Sequence, residues 1–163
     1  MARISAAVAG GANVCAFLDV IAWSEGTDNG RQPTRNHGYD VLVGGELFDG
    51  YADHPRRLVR LPRLRISSTA AGRYQLLSRY WDHYRRQLRL EDFGPISQDR
   101  VALQQIREQR ALGDIQAGRI EVAIAKCRNI WASLPGAGAG YGQREHAADD
   151  LIAQYIAAGG ALA

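Results

Sequence analysis

Apolar residues recur at helical spacing in five stretches of this chain, separated by runs rich in glycine, proline and charge. The first stretch begins near Asn13, where Ala16, Phe17, Val20 and Ile21 share one helical face. Gly26 ends it, and the turn-forming run Thr27-Asp28-Asn29-Gly30 follows. Tyr74, Leu77, Trp81, Tyr84 and Leu88 draw a second helical stripe. Val101, Ala102, Gln105 and Ile106 predict a third helix, with Ser97 as its cap. Ile120, Ala123, Ile124, Cys127, Trp131 and Leu134 give the clearest stripe. Asp114 is placed to cap a short helix before it, and Pro135-Gly136 to end it. Leu151, Ile152, Tyr155 and Ile156 predict a last helix, closed by Gly159-Gly160.

One region reads differently. Tyr39–Val43 and Glu46–Phe48 flank Gly44-Gly45, two residues able to take the positive φ of a tight hairpin turn. Residues 49–71, with Pro55, Pro62 and many arginines, read as a long loop, of the kind that forms a lip over a cleft. The pattern predicts an α+β fold in one domain, residues 1–163: a small hairpin lobe against a mostly helical lobe. A cleft between the lobes is the natural place for a site.

Composition narrows this little. Hydrophobic residues make up 46% of the chain and charged residues 23%, which fits a folded globular protein. The net charge is +3, and all but one of the 20 basic residues are arginine, Lys126 being the exception. Arg56, Arg57, Arg60, Arg63 and Arg65 cluster in the expected loop. A solvated loop accounts for them better than a nucleic-acid patch. Cys15 and Cys127 fall on apolar faces and read as buried free thiols. No zinc spacing is present, and His37, His54, His83 and His146 are scattered, so no metal or other cofactor is expected. Residues 1–12 are weakly apolar and read as a flexible extension, with an export or tethering segment as the minority reading. Asn13 and Asp19 interrupt any apolar run long enough to span a membrane.

The chemistry centres on Trp23-Ser24-Glu25-Gly26. Glu25 stands where the first helix stops, backed by core residues and facing a loop. The negative end of a helix and partial burial both disfavour a carboxylate, which suits Glu25 to general-acid work. An ordinary solvated carboxylate is the competing reading. Five carboxylates are candidate partners: Asp28, Asp40, Glu46, Asp49 and Asp53. None announces itself as a second catalytic group of the kind most glycosidases use. No G-x-S-x-G elbow is present. In Ala71-Gly72-Arg73-Tyr74-Gln75, Gly72 permits close backbone approach, and Gln75 offers a donor and an acceptor to hydroxyl or acetamide groups. The glycine-rich run 136–142 follows a helix and lacks a βαβ setting or a Walker lysine. It reads as a lip carrying Tyr141 rather than a phosphate cradle.

Long segments carry a resemblance. A-F-L-D-V-I-A-W-S-E-G-T-D-N-G-R (16–31), R-N-H-G-Y-D-V-L-V-G-G-E-L-F (35–48), D-H-P-R (53–56) and G-R-Y-Q-L-L-S-R (72–79) resemble the phage lambda endolysin family. V-A-L-Q-Q-I and N-I-W-A-S-L-P-G-A-G continue it. The resemblance covers roughly residues 16–160. It implies a lysozyme-like fold, and a lytic transglycosylase acting on peptidoglycan glycan strands as a monomer, without a cofactor or nucleic acid. It also implies synthesis in the host cytoplasm, release through a holin, and action on periplasmic peptidoglycan. Glu25 matches the family's single catalytic glutamate. Gln75 and Tyr74 match a substrate-binding motif, Tyr141 a second lip, and Tyr51 to Pro55 a first lip. Two departures stand out. The Gly138-Ala139-Gly140 run is two residues longer than the family pattern, and Ala70 replaces a glycine.

Two alternatives remain at this stage. A hydrolytic muramidase of the T4 type places Asp or Cys nine residues after the glutamate and Thr six further on. Here Thr34 and Asp40 hold those spacings, with residue types that do not fit. A non-catalytic cell-wall or nucleic-acid binding module would use the arginines but leave Glu25 without a role.

Overall fold

A computed structural model describes residues 1–137 and 146–163. The architecture is α+β, with seven α-helices, one 3-10 turn at Pro62–Leu64 and one two-stranded antiparallel sheet among the described residues. The helices are α1 (Ala6–Ala9), α2 (Ala12–Ser24), α3 (Ser78–Leu88), α4 (Pro95–Glu108), α5 (Leu112–Gln116), α6 (Ile120–Cys127) and α7 (Ala148–Ala157). The strands are β1 (Val59–Leu61) and β2 (Ile66–Ser68).

Helix α2 is the central element. Val14, Ala16, Phe17, Leu18, Val20, Ile21 and Ala22 are all buried, so it is apolar nearly all round rather than along one stripe. It contacts α1, α4, α5 and α7. This cage makes α2 a rigid mount for whatever follows Ser24. A second, smaller core gathers Leu42, Phe48, Ala71, Leu76, Trp81, Tyr84, Leu90, Phe93 and Val101, and Tyr51 packs against both cores.

Several expected elements sit elsewhere. The sheet forms at Val59–Ser68, inside the stretch read as a loop. The expected hairpin at Gly44-Gly45 is reduced to a turn closed by one bridge, Val41 to Leu47. Leu42 is instead bridged to Ala71, and Val43 N–H donates to Ala70 O at 2.9 Å, so tertiary partners take the strand. Tyr74 and Leu77 fall outside α3. Ala71 and Leu76 exchange two 3.0 Å backbone bonds, and Gln75 has φ 51, which no helix tolerates. Gly94 is the cap of α4, while the Ser97 hydroxyl donates to Asp92 at 2.9 Å. Asp114 lies inside α5 and pairs with Arg119 and Lys126. Trp131 and Leu134 lie beyond the end of α6 but are buried, because the stripe marked a buried side that turns continue.

Residues 1–12 differ from the flexible extension expected. Ile4 and Ala9 are buried, and the fully buried Asp99 carboxylate accepts from Arg3 N at 2.7 Å and Ile4 N at 2.8 Å. Ala2 N–H donates to Asp19 at 2.6 Å. Asp99 offers several acceptor sites, so local backbone donors supply the cover that a weakly apolar sequence does not. No described helix is long and apolar enough to cross a membrane.

Candidate active site

Glu25 caps the C-terminus of α2, with its N–H donating to Ile21 O at 2.9 Å. Gly26 then takes φ 77, and Thr27 and Asp28 both donate N–H groups back to Ala22 O. Thr27 Oγ1 also donates to Arg73 O at 2.7 Å. The loop after the glutamate is therefore pinned to the Gly72–Gln75 turn.

The Glu25 side chain is half-buried. Burial pushes its pKa up from 4.5 to about 7, and hydrogen bonds from Ser133 oppose this without cancelling it. Ser133 Oγ donates to Glu25 Oε1 at 2.6 Å and lies 3.0 Å from Ser24 Oγ, which reaches Ile21 O at 3.0 Å. This buried chain of hydroxyls engages Oε1, and the Ser133 backbone N–H also donates to the carboxyl. His146 stacks on Trp23 with ring centroids 4.6 Å apart, and its Nε2 is 3.2 Å from Ser24 O. Neither Ser133 nor His146 stood out in the sequence. Ser133 lies in a turn rather than on a periodic stripe, and only the resemblance through N-I-W-A-S-L-P-G pointed to its segment.

The hydrogen bond to Ser133 makes a prediction about pH. A donor to the carboxylate favours the ionised form, so its loss in Ser133→Ala raises the Glu25 pKa further. With Glu25 as the general acid that the resemblance implies, active only while protonated, kcat/KM is expected to fall as pH rises through about 7 in the parent. In Ser133→Ala that descending limb moves to higher pH by on the order of one pH unit. A pH–rate profile of cell-wall turnover checks it, and an unmoved limb counts against the role of Ser133.

The five candidate partner carboxylates are all committed to arginines. Asp28 lies 2.6 Å from Arg73 and Asp49 lies 2.8 Å from Arg35. Glu46 lies 2.9 Å from Arg57. Asp53 accepts from Trp81 Nε1 at 2.6 Å and pairs with Arg56 and Arg85; burial raises its pKa, but these partners outweigh it and hold the carboxyl at about 2. Asp40 is buried, accepting from Thr34 Oγ1 at 2.6 Å and from Arg35 N at 3.0 Å.

The other expected site residues divide. Gln75 is half-buried in the turn tied to the Glu25 loop, with Nε2 donating to Gly72 O at 2.9 Å and Val41 O at 3.3 Å and no partner on its side-chain oxygen among the described residues. Tyr74 is not at the surface. It is buried, and its hydroxyl donates to Asp99 at 2.6 Å. Tyr51 is half-buried at the seam of the two cores, accepting from Asn36 Nδ2 at 3.0 Å. The stretch after it is anchored rather than free, since His54 is buried with Nε2 2.9 Å from Leu76 O. Tyr141 lies outside the described residues.

A family model described as Endolysin matches residues 15–162. The chain belongs to the endolysin family. It is 68% identical over 148 residues to the endolysin of Escherichia phage lambda, covering 90% of this chain and 91% of that one. It is 55% identical over 157 residues to the endolysin of Escherichia phage P2, covering 91% and 93%. Among solved structures, bacteriophage lambda lysozyme complexed with a chitohexasaccharide matches with a TM-score of 0.90 and 61% identity over all of both chains. A second structure of the lambda lysozyme matches with a TM-score of 0.85 and 60% identity. The fold is thus lysozyme-like, and this endolysin is a peptidoglycan-cleaving enzyme.

Proposed function

We propose that this endolysin cleaves the β-1,4 bond between N-acetylmuramic acid and N-acetylglucosamine as a lytic transglycosylase, with Glu25 as its only catalytic carboxyl. The observation that carries the reading is the commitment of all five candidate partner carboxylates to arginines. Among the described carboxylates Glu25 alone combines partial burial with a pKa raised to about 7. The protonated carboxyl gives its proton to the leaving glycosidic oxygen as the bond to the anomeric carbon breaks. The C6 hydroxyl oxygen of the muramic acid attacks that carbon, and the Glu25 carboxylate takes the hydroxyl proton. Glu25 returns to its acid form, a 1,6-anhydro ring closes, and no water is consumed. A nucleophile within the substrate removes the need for a second carboxylate to activate water.

Glycan binding is supported by the lambda lysozyme complex with a chitohexasaccharide, since that fold matches this one closely. Gln75, beside the Glu25 loop, is the substrate-binding residue the described geometry favours. In this reading Tyr51 contributes only an edge at the seam of the two cores, Tyr74 supports Gln75 from within the core, and Tyr141 belongs to a lip. The enzyme works as a monomer on periplasmic peptidoglycan after synthesis in the host cytoplasm and release through a holin.

A hydrolytic reading needs a carboxylate that holds a water against the sugar. Asp40, at the spacing where T4-type lysozymes place threonine, has both oxygens engaged by Thr34 and Arg35. Mass spectrometry of digested peptidoglycan tests the choice. Anhydromuramic ends are expected, and a product with only reducing muramic ends overturns the transglycosylase assignment.

A further inference from the structure

The β1–β2 ribbon has no core of its own: no residue from Pro55 to Thr69 is buried. It is nevertheless rooted in the framework of the site. Val59 Cγ1 and Leu61 Cδ2 lie 3.5 and 3.6 Å from where a side chain on Gly44 would begin. The ribbon leads into Ala70 and Ala71, which bond to Val43 and Leu42, and Gln75 reaches the neighbouring Val41 O.

Side chains alternate across a strand, so Val59 and Leu61 turn toward Gly44 while Arg60 turns away. Arg63 lies in the connecting turn, and Arg65 follows it with φ 54. All three arginines are exposed, and among the described residues their side chains make no hydrogen bond or ion pair. Their neighbours differ: Arg56 pairs with Asp53 and Asp82, and Arg57 with Glu46. Three uncompensated guanidinium groups are thus grouped on a short arm beside the site.

We propose that this ribbon recognises carboxylates on the peptide stems of the cell-wall polymer through Arg60, Arg63 and Arg65. The inference rests on the peptidoglycan reading above and adds the peptide portion of the substrate to it. The glycan backbone offers hydroxyl and acetamide groups, whereas the stems carry the negative charge, and a planar guanidinium matches a carboxylate with two parallel hydrogen bonds. Nucleic acid fits less well, because residues 58–68 contain no aromatic side chain on which a base could stack. A lipid surface also fits less well. The ribbon's two exposed aliphatic residues, Leu58 and Ile66, do not form one apolar face: Ile66, paired with Leu61, lies on the side away from Arg60, and Leu58 stands alone beside the arginines.

The test uses purified sacculi, native or with their peptide carboxylates amidated, and full-length Glu25→Gln protein to prevent turnover. Native sacculi are expected to bind roughly tenfold more tightly than amidated ones. Adding Arg60→Gln, Arg63→Gln and Arg65→Gln together removes that difference while circular dichroism stays unchanged. Equal binding to native and amidated sacculi overturns the proposal, as does a triple variant that still distinguishes them. Capture of phosphatidylglycerol vesicles by the parent, lost in the triple variant, overturns it in favour of a lipid headgroup. Cleavage of sacculi by the Glu25 enzyme with no effect of amidation sinks the arm alone. Absence of both cleavage and binding sinks the peptidoglycan reading beneath it.

Discussion

Glu25→Gln is expected to abolish cell-wall lysis and leave the fold intact. Glutamine keeps the size of the side chain, and its amide oxygen still accepts from Ser133, whose hydroxyl lies 2.6 Å from Glu25 Oε1. It neither donates a proton to a leaving oxygen nor takes one from the C6 hydroxyl. In the proposed mechanism one group performs both transfers, so no second residue compensates, and turnover is expected to fall by about a thousandfold or more. The stability effect has a definite sign. A carboxyl whose folded pKa is raised from 4.5 to about 7 is penalised once ionised, so its contribution to stability falls as pH rises through that interval. The variant escapes this penalty, and above pH 7 its thermal midpoint should equal or exceed that of the parent. Turbidity clearing of sacculi and thermal circular dichroism read both effects. Retention of more than about a tenth of the activity by a folded variant rules out Glu25 as the sole acid–base group.

Arg73→Met is expected to be the most destabilising of the substitutions considered. The Arg73 side chain is 1% exposed and bonds Asp19 at 2.7 Å and Asp28 at 2.6 Å, with a further hydrogen bond to His37 O. These partners come from α2, from the loop after Glu25 and from the loop before the Gly44-Gly45 turn. Burial pushes the Asp28 carboxyl up, but the hydrogen bond and charge of Arg73 outweigh it and hold it below its ordinary range. Methionine fills much of the volume but removes the guanidinium from two partly buried carboxylates, leaving Asp19 with Ala2 N–H and Asp28 with the N-terminus and His37. Removing one partner from a buried ion-pair network costs about 3–5 kcal/mol. A urea titration at neutral pH followed by circular dichroism should show a loss of that order. A midpoint within error of the parent would show the network to be energetically idle. Activity should fall too, because the Arg73 guanidinium ties Asp28, in the loop after Glu25, to the turn that carries Gln75.

The helical lobe was legible because its periodicity is strong. The stripes around Phe17, Trp81, Ile106, Ile124 and Tyr155 all mark buried sides of real helices. The β region was much less legible. Gly44-Gly45 has the chemistry of a hairpin turn, but Leu42 and Val43 take partners at Ala71 and Ala70, nearly thirty residues away. Hydrogen-bond partners that distant leave no local pattern. The actual strands, Val59–Leu61 and Ile66–Ser68, are three residues each, none of them buried, and are joined by a turn that carries Arg63 and Arg65, so neither alternation nor burial announced them.

By itself the sequence determined the central apolar helix, the glutamate at its end, the glycine that stops it and the absence of an obvious second acid. Those features depend on residue type and near spacing. Only the tertiary structure decided what surrounds that glutamate. Ser133, more than a hundred residues away, supplies its hydrogen bond, and burial from the packed lobe raises its pKa. The fold also turned Tyr74 into the core to satisfy the buried Asp99, and paired every rival carboxylate with an arginine. Desolvation and ion pairing depend on which distant side chains meet, so they emerge only when the chain has folded.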